Sequence, residues 1–435
     1  MHPLLRALYG GAGLLARAAV ATGIPGDGKL ARTINGRRGL ARRYRHFADT
    51  VRDPSRPLLW FHAPSVGEGL QATPVMSRLR ERRPDLQLAY THFSPSAAAF
   101  AQRSGADFAD YLPFDTARDS GEALDELRPA ALVFSKLDVW PLLVEQAARR
   151  GVALGMISAT LAEDSGRRGG VAAAVTRAAY AALQAVGAID GADAARLVTI
   201  GVRESTIRIT GDTRYDQVWA RAQQVSAAAP WLDLFRSAMR VTLVAGSTWP
   251  ADEARLLPAW QSLAARWPGA LRLIIAPHEP TPAHLAPIES WAAAHAVRCA
   301  RLGAPDDATA DIVLVDRVGV LGDLYGVADA AFVGGGFHGA GLHSVLEPAA
   351  FGVPVLFGPQ HTKSRDAALL LHDGAARVVT DVAALEAMLV RWLAPTDAHL
   401  RREAGARARA RVQLGLGAAD RATELVLSLL PKIPR

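Results

Sequence analysis

Four stretches of the sequence set reactive side chains beside glycines at the ends of apolar runs. In His62-Ala63-Pro64-Ser65-Val66-Gly67-Glu68-Gly69, the two glycines permit a tight strand-to-helix turn that puts Glu68 at the helix start. A carboxylate there is placed to take a proton from a substrate hydroxyl. It equally suits a carboxylate that only complements the positive end of a helix. The turn lacks the G-x-G-x-x-G spacing, which counts against a dinucleotide. The second stretch, Val333-Gly334-Gly335-Gly336, runs through Gly339, Gly341, His343 and Ser344 to Leu346-Glu347-Pro348. Three glycines after a strand let backbone approach a phosphate closely, and Glu347 could accept from a ribose diol; turns use glycine too. The third comprises Gly246-Ser247-Thr248-Trp249 and Pro277-His278-Glu279-Pro280. Ser247 and Thr248 offer hydroxyl donors, while His278 either donates to a phosphate or base carbonyl or is structural. In the fourth, Phe357-Gly358-Pro359-Gln360-His361-Thr362-Lys363-Ser364-Arg365, the two cations could neutralise a leaving phosphate or begin a solvated helix.

The 12 histidines form no metal signature: His338 and His343 are badly spaced for one helix face. The single cysteine, Cys299, excludes an internal disulfide and a thiolate metal site.

These stretches must be positioned by the elements around them. From Arg56 onward, short apolar runs alternate with helix-length segments such as Leu70–Arg82 and Trp140–Arg150. The runs Leu58–His62, Leu86–His92, Ala130–Phe134, Ala153–Ser158, Ala185–Ile189 and Ile207–Thr210 read as one series of strands. Val241–Ala245, Leu271–Ala276, Asp311–Val315, Ala330–Val333 and Val355–Phe357 read as a second. That rhythm predicts two successive doubly wound parallel sheets with a cleft between them, ligands lying beyond the carboxyl ends of the strands. The last forty or so residues, rich in Ala, Arg and Leu, read as closing helices.

Length, 435 residues, fits two to three domains, and an apolar share of 50% leaves no room for a large disordered region. The net charge of +7 is local: Lys29, Arg32, Arg37, Arg38, Arg42, Arg43 and Arg45 stand together without an acid, and the remainder is near neutral. Such a cluster attracts phosphates of lipid or nucleic acid, or is solvated decoration. Before it, Leu4–Ile24 is apolar except for Arg6 and Arg17, which share a narrow helical stripe with Gly10 and Gly13. A spanning helix would bury both arginines at about 2.5–3.5 kcal/mol each. The segment therefore predicts a retained helix at the membrane surface, with a short spanning helix and snorkelling arginines as the rival.

In combination these stretches resemble the 3-deoxy-manno-octulosonic acid (Kdo) transferases, of the two-domain glycosyltransferase architecture called GT-B. The resemblance runs from about Arg32 to the closing helices. It is carried by Trp60–Glu68, Leu112-Pro113-Phe114-Asp115, Gly211-Asp212-Thr213-Arg214-Tyr215-Asp216, Ala245–Thr248, Asp316-Arg317-Val318-Gly319-Val320-Leu321, Val333–Gly336 and Leu346–Gly352. It implies an α/β fold of two Rossmann-like domains facing a cleft, with a membrane-associated helix in front. The expected division is residues 1–50 for anchor and basic segment, 51–225 for the acceptor domain and 226–435 for the CMP-sugar domain with its closing helices.

The resemblance makes Glu68 the general base of an inverting transfer of Kdo from CMP-Kdo to lipid A precursor. It places the donor against Gly246, Ser247, Thr248, Pro277 and His278, against Val318 and Gly319, and against Gly334, Gly335, Gly336, His343, Ser344 and Glu347. Ser65, Lys136, Asp138 and Lys363 are candidate contacts to acceptor or carboxylate, with Lys136 able to pair with the Kdo carboxylate or with Asp138. No metal or other cofactor is implied, because one phosphate leaves with little charge. The implied setting is the cytoplasmic face of the inner membrane, without nucleic acid. Many members carry a Glu-Thr-Glu-rich segment where this chain has Ser135-Lys136-Leu137-Asp138, an arginine at His278 and an asparagine at Ser344. The alternatives are a GT-B transferase of UDP-sugars and a non-catalytic lipopolysaccharide-binding relative.

Overall fold

The computed structural model describes residues 3–237, 240–339, 341–396 and 398–431. The chain forms two compact units, one running to Gln217 and resuming at Leu416, the other spanning Val218–Gly415.

The first unit is built on seven strands: β1 (Leu58–His62), β2 (Gln87–His92), β3 (Phe108–Tyr111), β4 (Ala131–Ser135), β5 (Ala153–Ala159), β6 (Ala185–Ala188) and β7 (Ile207–Ile209). They pair in parallel in the order β3-β2-β1-β4-β5-β6-β7. Helices cover both faces, so β1 and β4 are buried at every residue and read as unbroken apolar runs. The strand order reverses between β1 and β4, and a parallel sheet opens a crevice at such a point. The Glu68 turn follows β1, and Lys136 follows β4.

The second unit repeats the plan with β8 (Val241–Thr248), β9 (Leu271–Pro277), β10 (Cys299–Arg301), β11 (Ile312–Leu314), β12 (Ala330–Val333), β13 (Val355–Phe357) and β14 (Ala376–Val378). The parallel order is β10-β11-β9-β8-β12-β13-β14, reversing between β8 and β12. Ser247-Thr248-Trp249 and the glycine triplet sit on either side of that reversal. Both sheets agree with the expected parallel series, apart from β3, β10 and β14. All three are short edge strands interrupted by Asp110, Arg301 or Arg377, so they lack the apolar run that marks a central strand.

Two boundaries differ from the expected division. The second unit begins at Val218, inside the helix Arg214–Ala228, and the last helix, Ala418–Leu427, belongs to the first unit. Ala422, Val426 and Leu430 join the first unit's core beside Ala72 and Met76 of the helix Val66–Arg82. The Asp216 carboxylate accepts from the amides of Gly417 and Ala419, both at 2.8 Å, and Arg82 pairs with Asp420 at 2.6 Å.

The helix Pro3–Thr22 is tied to the first unit by Arg6 to Glu145 (2.8 Å), Tyr9 to Asp115 (3.0 Å) and Arg17 to Asp119 (3.5 Å). Gly13 allows the approach, since a Cβ there would lie 2.9 Å from Thr116 Cγ2. Both arginines of the polar stripe thus face protein, leaving Leu8, Leu14 and Leu15 exposed at 64%, 60% and 76%. Among the described residues no helix is long and apolar enough to cross a membrane.

The basic cluster divides. Arg37 is buried, donating to the Leu112 carbonyl at 2.8 Å with its guanidinium over Phe93, Tyr111 and Phe114. Burial lowers its pKa to about 10. Arg43 chelates Asp110, whereas Lys29, Arg32, Arg38 and Arg42 are exposed.

Candidate functional site

In the first unit, Ser65 precedes the helix Val66–Arg82 and Glu68 stands in its first turn. The Ser-x-x-Glu spacing would allow a reciprocal capping box, but Ser65 makes no side-chain cap; its hydroxyl donates to Glu68 Oε2 instead. Glu68 Oε1 faces Lys136 Nζ at 3.6 Å. Among the described residues these are the two partners of the carboxylate, and no backbone amide is among them. A carboxylate serving only to cap its helix would hold amides, so this one is left for other work. Ser135 Oγ fixes the turn from below by donating to the Glu68 carbonyl at 2.8 Å.

Lys136 therefore pairs with Glu68 rather than with Asp138. Its backbone is left-handed, with φ of 65°, as are those of Ser158 (49°) and Ser247 (53°). All three lie toward the carboxyl ends of strands, where strain at non-glycine residues commonly accompanies a site.

Asp138 lies 3.8 Å from both His62 Nε2 and Arg167. Burial would raise its pKa, but His62 and the Arg167 charge prevail and hold it low. The buried His62 accepts from Trp140 Nε1 at 3.1 Å, leaving Nδ1–H to donate to Thr91 Oγ1, also at 3.1 Å. Both ring nitrogens are thereby committed and His62 is a scaffold. Asp115 is likewise structural, accepting from the amides of Leu142 and Leu143 at 2.9 and 2.7 Å where the helix Pro141–Arg149 begins.

In the second unit an acidic pair organises the strand ends. Asp252 is fully buried in the first turn of the helix Pro250–Arg266. It accepts from the amides of Trp249 (2.9 Å), Gly335 (2.8 Å) and Phe337 (3.2 Å), bracing the β8 end against the glycine turn. Glu253 accepts from Thr248 Oγ1 at 2.8 Å and meets His284 at 3.1 Å.

These contacts revise two expectations. The Gly334 amide donates to the Gly246 carbonyl at 2.9 Å and the Gly335 amide to Asp252, so only the Gly336 amide of the triplet lacks a protein acceptor among the described residues. Close packing accounts for the glycines: a Cβ on Gly334 would strike the Ser247 carbonyl, and one on Gly336 would strike Gly358. Thr248 turns its hydroxyl inward, whereas Ser247 remains partly exposed.

A ring cluster covers the turn. Trp249 lies 4.3 Å from His338 and 4.8 Å from His278, and His278 lies 4.4 Å from His343. Trp249 Nε1 donates to His343 Nε2 at 3.2 Å. Burial, with His278 and His338 nearby, lowers the His343 pKa to about 4. Burial also raises the Glu347 carboxyl, partly offset by Arg221, which Asp323 holds at 2.9 Å and which donates to the Gly319 carbonyl at 3.1 Å. Pro277 ends β9 beside Thr248, while Val318, 79% exposed, follows β11. Ser344 and Lys363 are exposed, and Lys363 has no ion pair among the described residues. No group of three metal-ligating side chains occurs among the described residues.

Sequence reasoning missed Trp249, Asp252, Glu253 and His338 as parts of this assembly. Asp252-Glu253 after Trp-Pro reads as an ordinary acidic first turn; only the fold brings it under residues some eighty positions away.

Residues 37–217 match the family model for 3-deoxy-D-manno-octulosonic-acid transferase (kdotransferase). The chain is 28% identical over 331 residues to a 3-deoxy-D-manno-octulosonic acid transferase of Haemophilus influenzae, covering 75% of this chain and 76% of the relative. Over 321 residues it is 29% identical to the enzyme of the same name from Bordetella pertussis, covering 71% and 73%. Among solved structures, UDP-GlcNAc 2-epimerase from Neisseria meningitidis aligns with a TM-score of 0.62 at 14% identity, covering 86% of this chain and 100% of its own. UDP-GlcNAc 2-epimerase from Methanocaldococcus jannaschii aligns with a TM-score of 0.55 at 13% identity, covering 82% and 99%. At that identity the two structures speak to fold alone, and with the two parallel-sheet units they mark a GT-B fold. The matched segment holds the Glu68 turn, the Lys136 strand end and the Asp212–Asp216 stretch, and it makes this chain a glycosyltransferase belonging to the 3-deoxy-D-manno-octulosonic-acid transferase family.

Proposed function

We propose that the protein transfers Kdo from CMP-Kdo to a lipid A precursor such as lipid IVA, in lipopolysaccharide biosynthesis, with inversion at the anomeric carbon. The observation that carries this reading is Glu68: a carboxylate at the switch point of the first sheet, held by a hydroxyl and an ammonium and by no amide. It takes the proton of an acceptor hydroxyl as that oxygen attacks the anomeric carbon. The bond from that carbon to the phosphate oxygen breaks, and CMP leaves with the electron pair. The second unit supplies the nucleotide side, with Ser247, the Gly336 amide, His278 and His343 toward the phosphate and Glu347 toward the ribose. No metal ion is assigned a step.

The acceptor is an amphiphile, and the surface of the first unit suits it. Leu8, Leu14, Leu15 and Leu30 are exposed beside Lys29, Arg32, Arg38 and Arg42, an apolar and cationic combination that favours anionic lipid at the cytoplasmic face of the inner membrane.

The test is incubation of the purified chain with CMP-Kdo and tetraacylated lipid A precursor, products being resolved by mass. Addition of one or more Kdo masses is expected. Transfer from UDP-sugars but not from CMP-Kdo would reassign the donor, and no turnover with intact CMP binding would mark a non-catalytic relative.

A further inference from the structure

The strand-end loops 246–249, 277–280 and 334–344 contain no lysine or arginine, but they contain His278, His338 and His343. Cationic capacity in these loops therefore comes from imidazole alone, which an ordinary environment titrates near pH 6.5. The three histidines are not equivalent. His343 accepts from the Trp249 indole at Nε2, so its proton sits on Nδ1 and the ring is a neutral donor. Burial keeps it so, with its pKa at about 4. His278 is exposed, packs at 4.8 Å against the Trp249 ring and at 4.4 Å against His343, and is bonded to no acceptor among the described residues.

We infer that His278 is the proton-linked anchor of the donor's phosphate, binding the singly charged phosphodiester of a nucleotide sugar as imidazolium while His343 donates beside it as a neutral ring. The inference rests on the reading above that the second unit holds the nucleotide. Trp249 favours the charged form of His278, since an indole face attracts a cation by about 0.5–2 kcal/mol. A neutral His343 spares it a like charge at close range. The other charged groups near the cluster are already engaged. Asp252 holds the amides of Gly335 and Phe337, Glu253 holds Thr248 and His284, and Arg255 lies over the Phe337 ring. Glu279, next to His278 in the chain, is exposed.

The experiment is calorimetric titration of the full chain with cytidine 5′-(methyl phosphate) between about pH 6 and pH 8.5, a window in which this diester keeps one charge. Affinity is expected to fall roughly tenfold as pH rises, the effect of one linked proton. His278→Gln should bind weakly and without that slope, whereas His278→Lys, charged throughout, should bind tightly and also without it. Wild-type binding independent of pH, or a slope that survives in His278→Gln, overturns the inference and leaves the nucleotide assignment standing. Absence of binding at every pH overturns both.

Discussion

Glu68 holds its place through a hydroxyl and an ammonium instead of through its own helix, and this separates a working carboxylate from a decorative one. Replacing it with Gln keeps the shape and the Ser65 partner while removing the proton acceptor. Turnover should fall by about two to four orders of magnitude with CMP affinity retained, the range for a lost general base; near-normal turnover would take Glu68 out of the chemistry. A second consequence at this scale concerns stability. His92 and His343 both have pKa values lowered to about 4 by burial, against 6.5 ordinarily. The folded chain thus binds fewer protons than the unfolded chain between those values. Stability is full above pH 6.5 and declines as pH falls toward 4, by at most about 1.4 kcal/mol per pH unit for each ring. Denaturant titrations at stepped pH should show that decline, and His92→Gln should make it shallower; an unchanged slope would exclude His92 as a source.

At the scale of elements, what the sequence discloses depends on burial. The central strands are covered on both faces and announce themselves as apolar runs, so their positions and the turns beyond them were legible. Strands β3, β10 and β14 border the sheets and carry Asp110, Arg301 and Arg377, which erases that signal. Glu68, Ser247 and His278 could be named from their places after strands. The inward turn of Thr248 and the bracing by Asp252 could not, since each depends on a partner fixed only by the fold. The helix Pro3–Thr22 is a further case. Its arginine stripe was legible, but the carboxylates that engage it, Glu145 and Asp119, lie far along the chain. Because that stripe faces protein, the leucines on the remaining surface are the ones offered to lipid. Leu8→Ser, Leu14→Ser and Leu15→Ser together should weaken sedimentation with anionic vesicles while leaving the melting temperature nearly unchanged, as exposed positions contribute little to folding. Equal sedimentation of the variant would remove this helix from membrane contact.

At the scale of the molecule, the second unit is an insertion: the chain leaves the first unit after Gln217 and returns at Leu416. The returning helix supplies Ala422 and Val426 to the first core and is capped by Asp216. A chain stopped after Gly415 should keep a cooperative transition for the second unit and lose the one belonging to the first. Deleting several buried apolar side chains costs about 2–5 kcal/mol apiece, comparable with a domain's entire stability. Two intact transitions in a calorimetric scan of the truncated chain would contradict this.

That return also dictates an order of events during synthesis. The segment that starts the protein emerges first from the ribosome but waits for the final residues before its core can close. Val218–Gly415 meanwhile has everything it needs as soon as it clears the tunnel. The unit bearing Glu68 is therefore completed last, so a ribosome that stalls near the end of the message leaves behind an open, unarmed enzyme.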